Sequence, residues 1–173
     1  MELREIGPSL PALARQALQT ALRGQPFHPP AQGPQAPVFV TLRGRGDQAL
    51  RGCIGTLAAV CGSVSEETAR NAVLAATQDP RFAPVEPEEL PRLAIEVSVL
   101  LPEQTVDDVS QLDPRRYGVV VRDASGRRGV LLPDVPGVES VDAQLEIARR
   151  KAGIAPGRPA VVSRFEVLKF EEA

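Results

Sequence analysis

The sequence has few of the residues on which catalytic and nucleic-acid-binding sites commonly depend. Its 173 residues include no tryptophan, one histidine and two cysteines, and aromatic residues make up only 3%. The formal net charge of −2 gives no electrostatic reason to expect nucleic acid or an acidic membrane as a partner. Because aromatic residues are scarce, few side chains are suited to stacking on nucleic-acid bases. We therefore expect no nucleic-acid partner and no membrane partner.

The two cysteines lack the spacing of a metal site. Cys53 and Cys61 are eight residues apart, with no CxxC pair and no neighbouring histidine, so we expect no metal and no cofactor. The residues before Ser9 contain no apolar secretory segment, and no window approaches the ~18 apolar residues of a membrane span. A cytoplasmic protein with reduced thiols is the expectation that follows.

The pattern of apolar residues predicts an α+β protein. Apolar content of 43% and charged content of 24% are ordinary for a globular domain, either single or made of two small lobes. Helical periodicity and capping residues predict helices over residues 9–23, 63–77, 105–112 and 141–152. Alternation predicts strands over residues 38–43, 50–57, 93–101, 117–121, 130–132 and 163–170. Hairpins rather than regular βαβ units connect these strands, which favours an antiparallel sheet.

The strand over residues 50–57 has an unusual composition. It carries the sequence Leu50-Arg51-Gly52-Cys53-Ile54-Gly55 followed by Thr56. Alternation places Arg51, Cys53 and Gly55 on one face, and a strand glycine often marks close approach of another backbone or of a ligand. One interpretation is that Gly55 leaves an open notch beside Cys53 that forms part of a site. The other is a bend in the sheet with a packed cysteine.

A cysteine nucleophile needs a base or a nearby positive charge. The only histidine, His28, lies in the proline-rich segment 26–37, where we expect a solvated loop residue rather than a base. Arg51, two residues from Cys53, could stabilise a thiolate. The alternative is an inert, buried thiol.

Further polar residues interrupt otherwise apolar elements. Glu96 lies in the middle of an apolar strand, and either pairs with Arg51 or Arg81 or faces water. Asn71 lies on or near the inward face of the second predicted helix. Asp79 and Arg81 follow that helix, and they form either an ion pair at the edge of a site or a local cap.

Several ordered blocks of the sequence are characteristic when taken together: Phe39-Val40-Thr41-Leu42, the LRGCIG motif of residues 50–55, Asn71-Ala72, Ala75-Ala76, Asp79-Pro80-Arg81-Phe82-Ala83-Pro84, Ile95-Glu96-Val97-Ser98-Val99-Leu100, Gly129-Val130-Leu131-Leu132-Pro133 and Lys151-Ala152-Gly153. They resemble the AMMECR domain family, whose bacterial and archaeal members are called AmmeMemoRadiSam system protein A. The resemblance covers essentially the whole chain. Two departures are Asp134, where glutamine is usual, and the short segment after Gly153, which lacks the usual tryptophan.

The resemblance implies a two-lobed fold. The larger lobe would hold both termini and a five-stranded antiparallel sheet, and the smaller lobe would have its own short sheet. We assign residues 1–102 and 161–173 to the larger lobe and residues 103–160 to the smaller one. The signature side chains would line a cleft between the lobes.

The resemblance implies a site rather than a defined reaction. One hypothesis is a non-catalytic protein that binds a small molecule or partner and acts with a Memo-type protein and a radical S-adenosylmethionine protein. The other is a cysteine-dependent enzyme, with Cys53 as nucleophile or redox centre, Arg51 as anion clamp and Glu96 or Asp79 as proton carrier. The predicted catalytic residues are Cys53, Arg51 and Glu96, and the predicted binding residues are Arg51, Gly52, Cys53, Gly55, Thr56, Asn71, Asp79, Arg81 and Ser98.

Overall fold

The computed structural model describes residues 2–172, which divide into two compact units. The first unit extends to Leu100 and resumes at Leu168, and the second comprises Leu101–Val167. Each unit combines at least one α-helix with a four-stranded antiparallel sheet, so the predicted α+β class is confirmed. No helix in the described range is long and apolar enough to cross a bilayer.

The first unit is built on a sheet with the strand order β2-β1-β3-β8. Its elements are α1 (Leu3–Ile6), α2 (Leu10–Ala21), β1 (Val38–Gly44), β2 (Leu50–Gly55), α3 (Val64–Thr77), β3 (Leu93–Leu100) and β8 (Val167–Glu171), with 3-10 turns at Gly7–Ser9 and Leu90–Arg92. The predicted hairpin is confirmed, because β1 pairs antiparallel with β2. The resemblance implied five strands in this sheet, and the structure has four.

One face of the first sheet packs on α2 and α3. Val40 of β1 and Val97 of β3 are fully buried there, as strand alternation predicts. The α3 face is made of small residues, so its backbone approaches the sheet closely: a Cβ added to Gly52 would lie 2.2 Å from the Ala75 carbonyl oxygen.

The second unit contains a short sheet covered by one helix. Its elements are β4 (Gln104–Thr105), a 3-10 turn (Val109–Gln111), β5 (Gly118–Asp123), β6 (Arg128–Leu131), α4 (Val141–Ala152) and β7 (Ala160–Phe165), with the strand order β4-β7-β5-β6. The Ser140 hydroxyl accepts a hydrogen bond from the Ala143 amide at 3.1 Å, which caps α4 at its start. Gly153, at φ 67°, ends the helix in the left-handed conformation, as predicted.

Two predictions of secondary structure are wrong. The helix predicted over residues 105–112 is strand β4 followed by a 3-10 turn, because the Asp108 carboxylate accepts a hydrogen bond from the Ser110 amide at 2.7 Å and caps that turn instead. The strand predicted over residues 163–170 is two strands in different sheets, separated at Glu166. Because β7 pairs with β5, residues 160–165 belong to the second unit.

Candidate functional site

The second face of the first sheet carries a row of polar side chains. In the strand register, Cys53 of β2 lies opposite Thr41 of β1, and Thr41 lies opposite Glu96 of β3. The Thr41 hydroxyl is 3.3 Å from the Cys53 sulfur. Ser98, two residues along β3, donates a hydrogen bond to the Glu96 carboxylate at 3.2 Å. Neighbouring strands are about 4.8 Å apart, so the backbones of Cys53 and Glu96 are about 10 Å apart, with Thr41 between them.

The backbone of Cys53 is held by the Asp79 carboxylate. The Cys53 amide donates to Asp79 Oδ2 at 2.9 Å. The same carboxylate accepts hydrogen bonds from the Arg81 amide at 3.1 Å and from Arg81 Nε and Nη2 at 3.0 and 2.7 Å. Asp79 therefore caps the turn locally and ties that turn to β2, so both interpretations of the Asp79–Arg81 pair hold in part.

The environment of Asp79 keeps its carboxyl group ionised. The pKa of Asp79 lies well below its ordinary value, chiefly because the Arg81 side chain donates hydrogen bonds to the carboxylate. Hydrogen bonds from the Cys53 and Arg81 amides lower the pKa further, and together these contacts outweigh the opposing effect of burial. A group that stays ionised near neutral pH is a poor proton carrier. The structure therefore does not support the predicted proton-carrier role of Asp79.

Arg51 contacts a different carboxylate from the one predicted. The register shifts between Leu42 and Arg43, which leaves Arg51 as the extra residue of a β-bulge. Its Nε and Nη2 donate to Glu89 at 2.9 and 3.0 Å, and its other hydrogen bonds go to the carbonyls of residues 83 and 84. These contacts occupy four of the five guanidinium N–H groups. Arg51 is therefore mostly committed within the fold, and it is not free to act as an anion clamp.

The predicted ion pair of Glu96 is also wrong. Arg51 pairs with Glu89, and Arg81 pairs with Asp79. Within residues 2–172, Glu96 forms no ion pair and receives its one side-chain hydrogen bond from Ser98. Glu96, the charged residue of the row, is therefore half-buried without an opposite charge beside it in the described residues.

The two signature glycines accommodate protein atoms. A Cβ at Gly55 would lie 2.1 Å from the Phe39 ring, so the predicted open notch is wrong: Phe39, opposite Gly55 in the register, fills it. Gly52 faces the α3 backbone, at the Ala75 carbonyl described above. Both glycines are explained by close packing, and neither leaves space for a ligand on its own.

Thr56 and Asn71 belong to a buried network centred on Glu67. Thr56 donates its hydroxyl hydrogen to Glu67, and the Asn71 amide group donates to the Val38 carbonyl at 2.9 Å and to Glu67 at 3.4 Å. Burial raises the pKa of Glu67, but the hydrogen bonds from Thr56 and from the amides of residues 60 and 61 outweigh burial and lower that pKa overall. This network joins α3 to the ends of β1 and β2 and stabilises the fold behind the polar row.

Sequence reasoning missed three residues that organise this region, namely Thr41, Glu67 and Glu89. Glu67 had a local signal, because it lies four residues before Asn71 on the same face of α3. Thr41 had a weaker signal, as a polar residue on the alternate face of an apolar strand. Glu89 had no signal in the sequence, because its contact with Arg51 joins residues that are 38 positions apart in the chain.

A surface cavity of about 320 Å³ adjoins the polar row. Thr41 and Glu96 line it, together with Arg43, Arg45 and Glu172. Its volume is at the lower end of the range for small-ligand pockets, about 300–1,000 Å³. The polar row therefore has space beside it for a small molecule.

The Cys53 thiol has no base beside it in the described part of the chain. Thr41 is its one hydrogen-bond partner there, and a threonine hydroxyl does not abstract a proton near neutral pH. His28 is exposed in its loop, as expected. Residues 2–172 also contain no cluster of three or more histidine, cysteine, aspartate or glutamate side chains suited to a metal ion. The geometry around Cys53 thus suits contact with a ligand better than nucleophilic attack.

Known proteins resemble this chain over most of its length. A protein from Thermotoga maritima is 46% identical over 138 residues, which is 79% of this chain and 78% of that protein. A protein from Thermococcus gammatolerans is 37% identical over 97% of this chain and 91% of its own. A protein from Clostridium acetobutylicum is 42% identical over 79% of this chain, but that match spans only 28% of the longer protein.

A solved structure and a family model agree with these similarities. The crystal structure of an uncharacterized protein from Pyrococcus horikoshii, 32% identical, superposes with a TM-score of 0.82 over 97% of this chain and 92% of that one. The AMMECR1 family model matches residues 11–172, nearly the whole chain. The family resemblance seen in the sequence motifs is therefore confirmed, and this chain belongs to the AMMECR1 family.

Proposed function

We propose that this protein binds a small molecule on the polar face of its first sheet, through Cys53, Thr41, Glu96 and Ser98. The observation that carries the proposal is the alignment of Cys53, Thr41 and Glu96 across three strands, next to a cavity of about 320 Å³ that Thr41 and Glu96 line. Ser98 adjoins this row through its hydrogen bond to Glu96. Glu96 is a half-buried charged residue in the middle of an otherwise apolar strand, and it forms no ion pair within residues 2–172. A ligand that donates hydrogen bonds to Glu96 would compensate this charge.

Binding is favoured over cysteine catalysis by the surroundings of Cys53. A catalytic thiol is activated by a base or a cation, whereas the side-chain partner of Cys53 is the Thr41 hydroxyl. The neighbouring cations are each held by a carboxylate, Arg51 by Glu89 and Arg81 by Asp79. We therefore assign Cys53 the role of a ligand contact. The location of the ligand in a cleft between lobes stays a prediction from the family resemblance.

We further propose that the protein acts together with a Memo-type protein and a radical S-adenosylmethionine protein. The support is the family resemblance of the sequence motifs. Affinity-tagged protein purified from its own host should retain one or both partners at levels above a tagged unrelated protein. Recovery of neither partner, together with no transfer of a bound molecule to either, would refute this part of the proposal.

Native mass spectrometry of protein purified from its own host tests the binding proposal. We expect a bound mass that is released on denaturation. Cys53→Ala and Thr41→Val should reduce the occupied fraction, whereas Cys61→Ala, which removes the other cysteine outside the polar row, should leave it unchanged. Wild-type protein without a bound mass would refute the proposal. A covalent adduct on Cys53 that turns over would instead support the cysteine-dependent enzyme.

A further inference from the structure

The cavity beside the polar row contains opposite charges that are not paired with each other. Arg43 and Glu96 both line it, and they occupy diagonal positions, because Arg43 lies opposite Ala94 in the register of β1 and β3. Diagonal neighbours on paired strands are about 7–8 Å apart at the backbone, within reach of two long side chains. No ion pair forms between them within 4 Å in residues 2–172.

The other charges in this cavity are largely satisfied within the fold. The Glu172 carboxylate accepts hydrogen bonds from Arg15, from Arg45 at 3.1 Å and from the Ile95 amide at 3.2 Å. By contrast, the one hydrogen bond described for the Arg43 guanidinium is to the Gln48 carbonyl, at 3.4 Å. Arg43 and Glu96 therefore lie on adjacent strands of the lining with opposite charges and, like Glu171, form no ion pair within residues 2–172.

We propose that the ligand of this site is a small zwitterion of the α-amino-acid type, with its carboxylate on Arg43 and its ammonium group on Glu96. This inference rests on the proposed function and names its ligand class. A guanidinium binds a carboxylate through two parallel hydrogen bonds, and a carboxylate accepts from an ammonium group. Thr41 lies directly opposite Glu96 and two residues before Arg43 on β1, so its hydroxyl is close to both charges and can donate or accept a hydrogen bond.

The charges of the cavity also bear on the ligand side chain. Glu171 lines the cavity, is exposed and forms no ion pair in the described part of the chain. The full set of charges is three arginines and three glutamates: Arg43 and Arg45 with Glu96, Glu171 and Glu172 in the lining, and Arg15 paired with Glu172. Because these charges balance, we expect L-lysine and L-glutamate to bind within about threefold of glycine.

Titration of isotope-labelled protein, followed by amide chemical shifts, tests the ligand class with five probes: glycine, L-lysine, L-glutamate, acetate and methylamine. We expect shifts in β1 and β3, with glycine binding about tenfold more tightly than acetate or methylamine, since each of these lacks one of the two ionic contacts. Arg43→Gln and Glu96→Gln should each weaken glycine binding by about tenfold. The exposed controls Arg23→Gln and Glu88→Gln, in the same unit, should leave it unchanged.

The outcomes separate this inference from the proposed function. Acetate binding as tightly as glycine would indicate a simple anion site, and methylamine binding as tightly would indicate a cation site; either result overturns the zwitterion. If no probe binds while native mass spectrometry shows a bound mass, the ligand class is wrong and the binding function stands. If no probe binds and no mass is bound, both proposals fail. Circular dichroism of each variant identifies one that has merely unfolded.

Discussion

Asp79→Asn tests whether one buried carboxylate holds the backbone of Cys53 in place. Asp79 is 4% exposed and accepts four hydrogen bonds, two on each oxygen. Asparagine has nearly the same shape but replaces one oxygen with an NH₂ group. Whichever oxygen is replaced, two N–H donors then face another donor, so the substitution removes charge and hydrogen bonds without creating a cavity.

The expected loss follows from the exposure of each partner. Arg81 is half-exposed and regains water when the pair is broken, so its contribution to the free energy of unfolding is small. The Cys53 amide belongs to a half-buried residue, and hydrogen bonds to charged groups contribute about 1.5–3 kcal/mol each. We therefore expect a loss of about 2 kcal/mol, which for a chain of this length lowers the melting temperature by about 4–8 °C.

The effect should depend on pH in a defined direction. The folded-state pKa of Asp79 lies below its unfolded value, so the stabilisation is fully present above the unfolded pKa of about 3.9 and is lost as the pH falls toward the lower, folded value. The difference in melting temperature between wild type and Asp79→Asn should accordingly be greatest at neutral pH and shrink below about pH 4.

Thermal unfolding followed by circular dichroism, at pH 7 and at intervals down to pH 3, measures this difference. Glu88→Gln, which neutralises an exposed carboxylate in the same unit, is the matched control and should melt with the wild type at pH 7. An Asp79→Asn protein that melts within about 1 °C of wild type at pH 7 would refute the reasoning, as would a difference that grows on acidification.

Two further predictions concern packing and thiol reactivity. Gly52→Ala should destabilise the first unit by about 1–3 kcal/mol in urea unfolding, because the added Cβ would meet the Ala75 carbonyl. Gly46→Ala is the control and should be nearly neutral, because no atom lies within 4 Å of its Cβ position. Equal losses of stability in the two variants would contradict the packing argument. Burial and the neighbouring Glu67 raise the pKa of Cys61, so its alkylation, followed by peptide mass spectrometry, should reach half its maximal rate above about pH 8.5. A midpoint at or below that pH would contradict this assignment.

Much of the secondary structure could be predicted because its signals lie within a few residues of the elements they define. Ser63 accepts a hydrogen bond from the Glu66 amide and begins α3, as its spacing predicts, and the helix ends at Thr77 as predicted. The alternation of β3 is equally local, since successive residues of a strand point to opposite faces. The failure at residues 105–112 has the same origin, because Asp108 caps a 3-10 turn as readily as a helix.

The polar row itself was only partly predictable. Cys53, Glu96 and Ser98 were named from their strands, yet their alignment across Thr41 depends on strand register, which no single strand encodes. The suggested pairing of Arg51 with Glu96 is wrong, because a β-bulge at Arg51 turns its side chain toward Glu89. A β-bulge of one residue cannot be predicted from the alternation of side chains, because that pattern assumes a regular strand.

The amino-acid sequence by itself determined the family, the α+β class and most of the element boundaries, since these depend on local caps, periodicity and ordered motifs. Tertiary structure alone decided which charged side chains are paired with a side chain of opposite charge. Glu89 reaches Arg51 across 38 residues and Glu172 reaches Arg15 across 157, and only the folded chain brings these groups together. Arg51 and Arg81, the two partners that the sequence offered for Glu96, are held instead by Glu89 and Asp79.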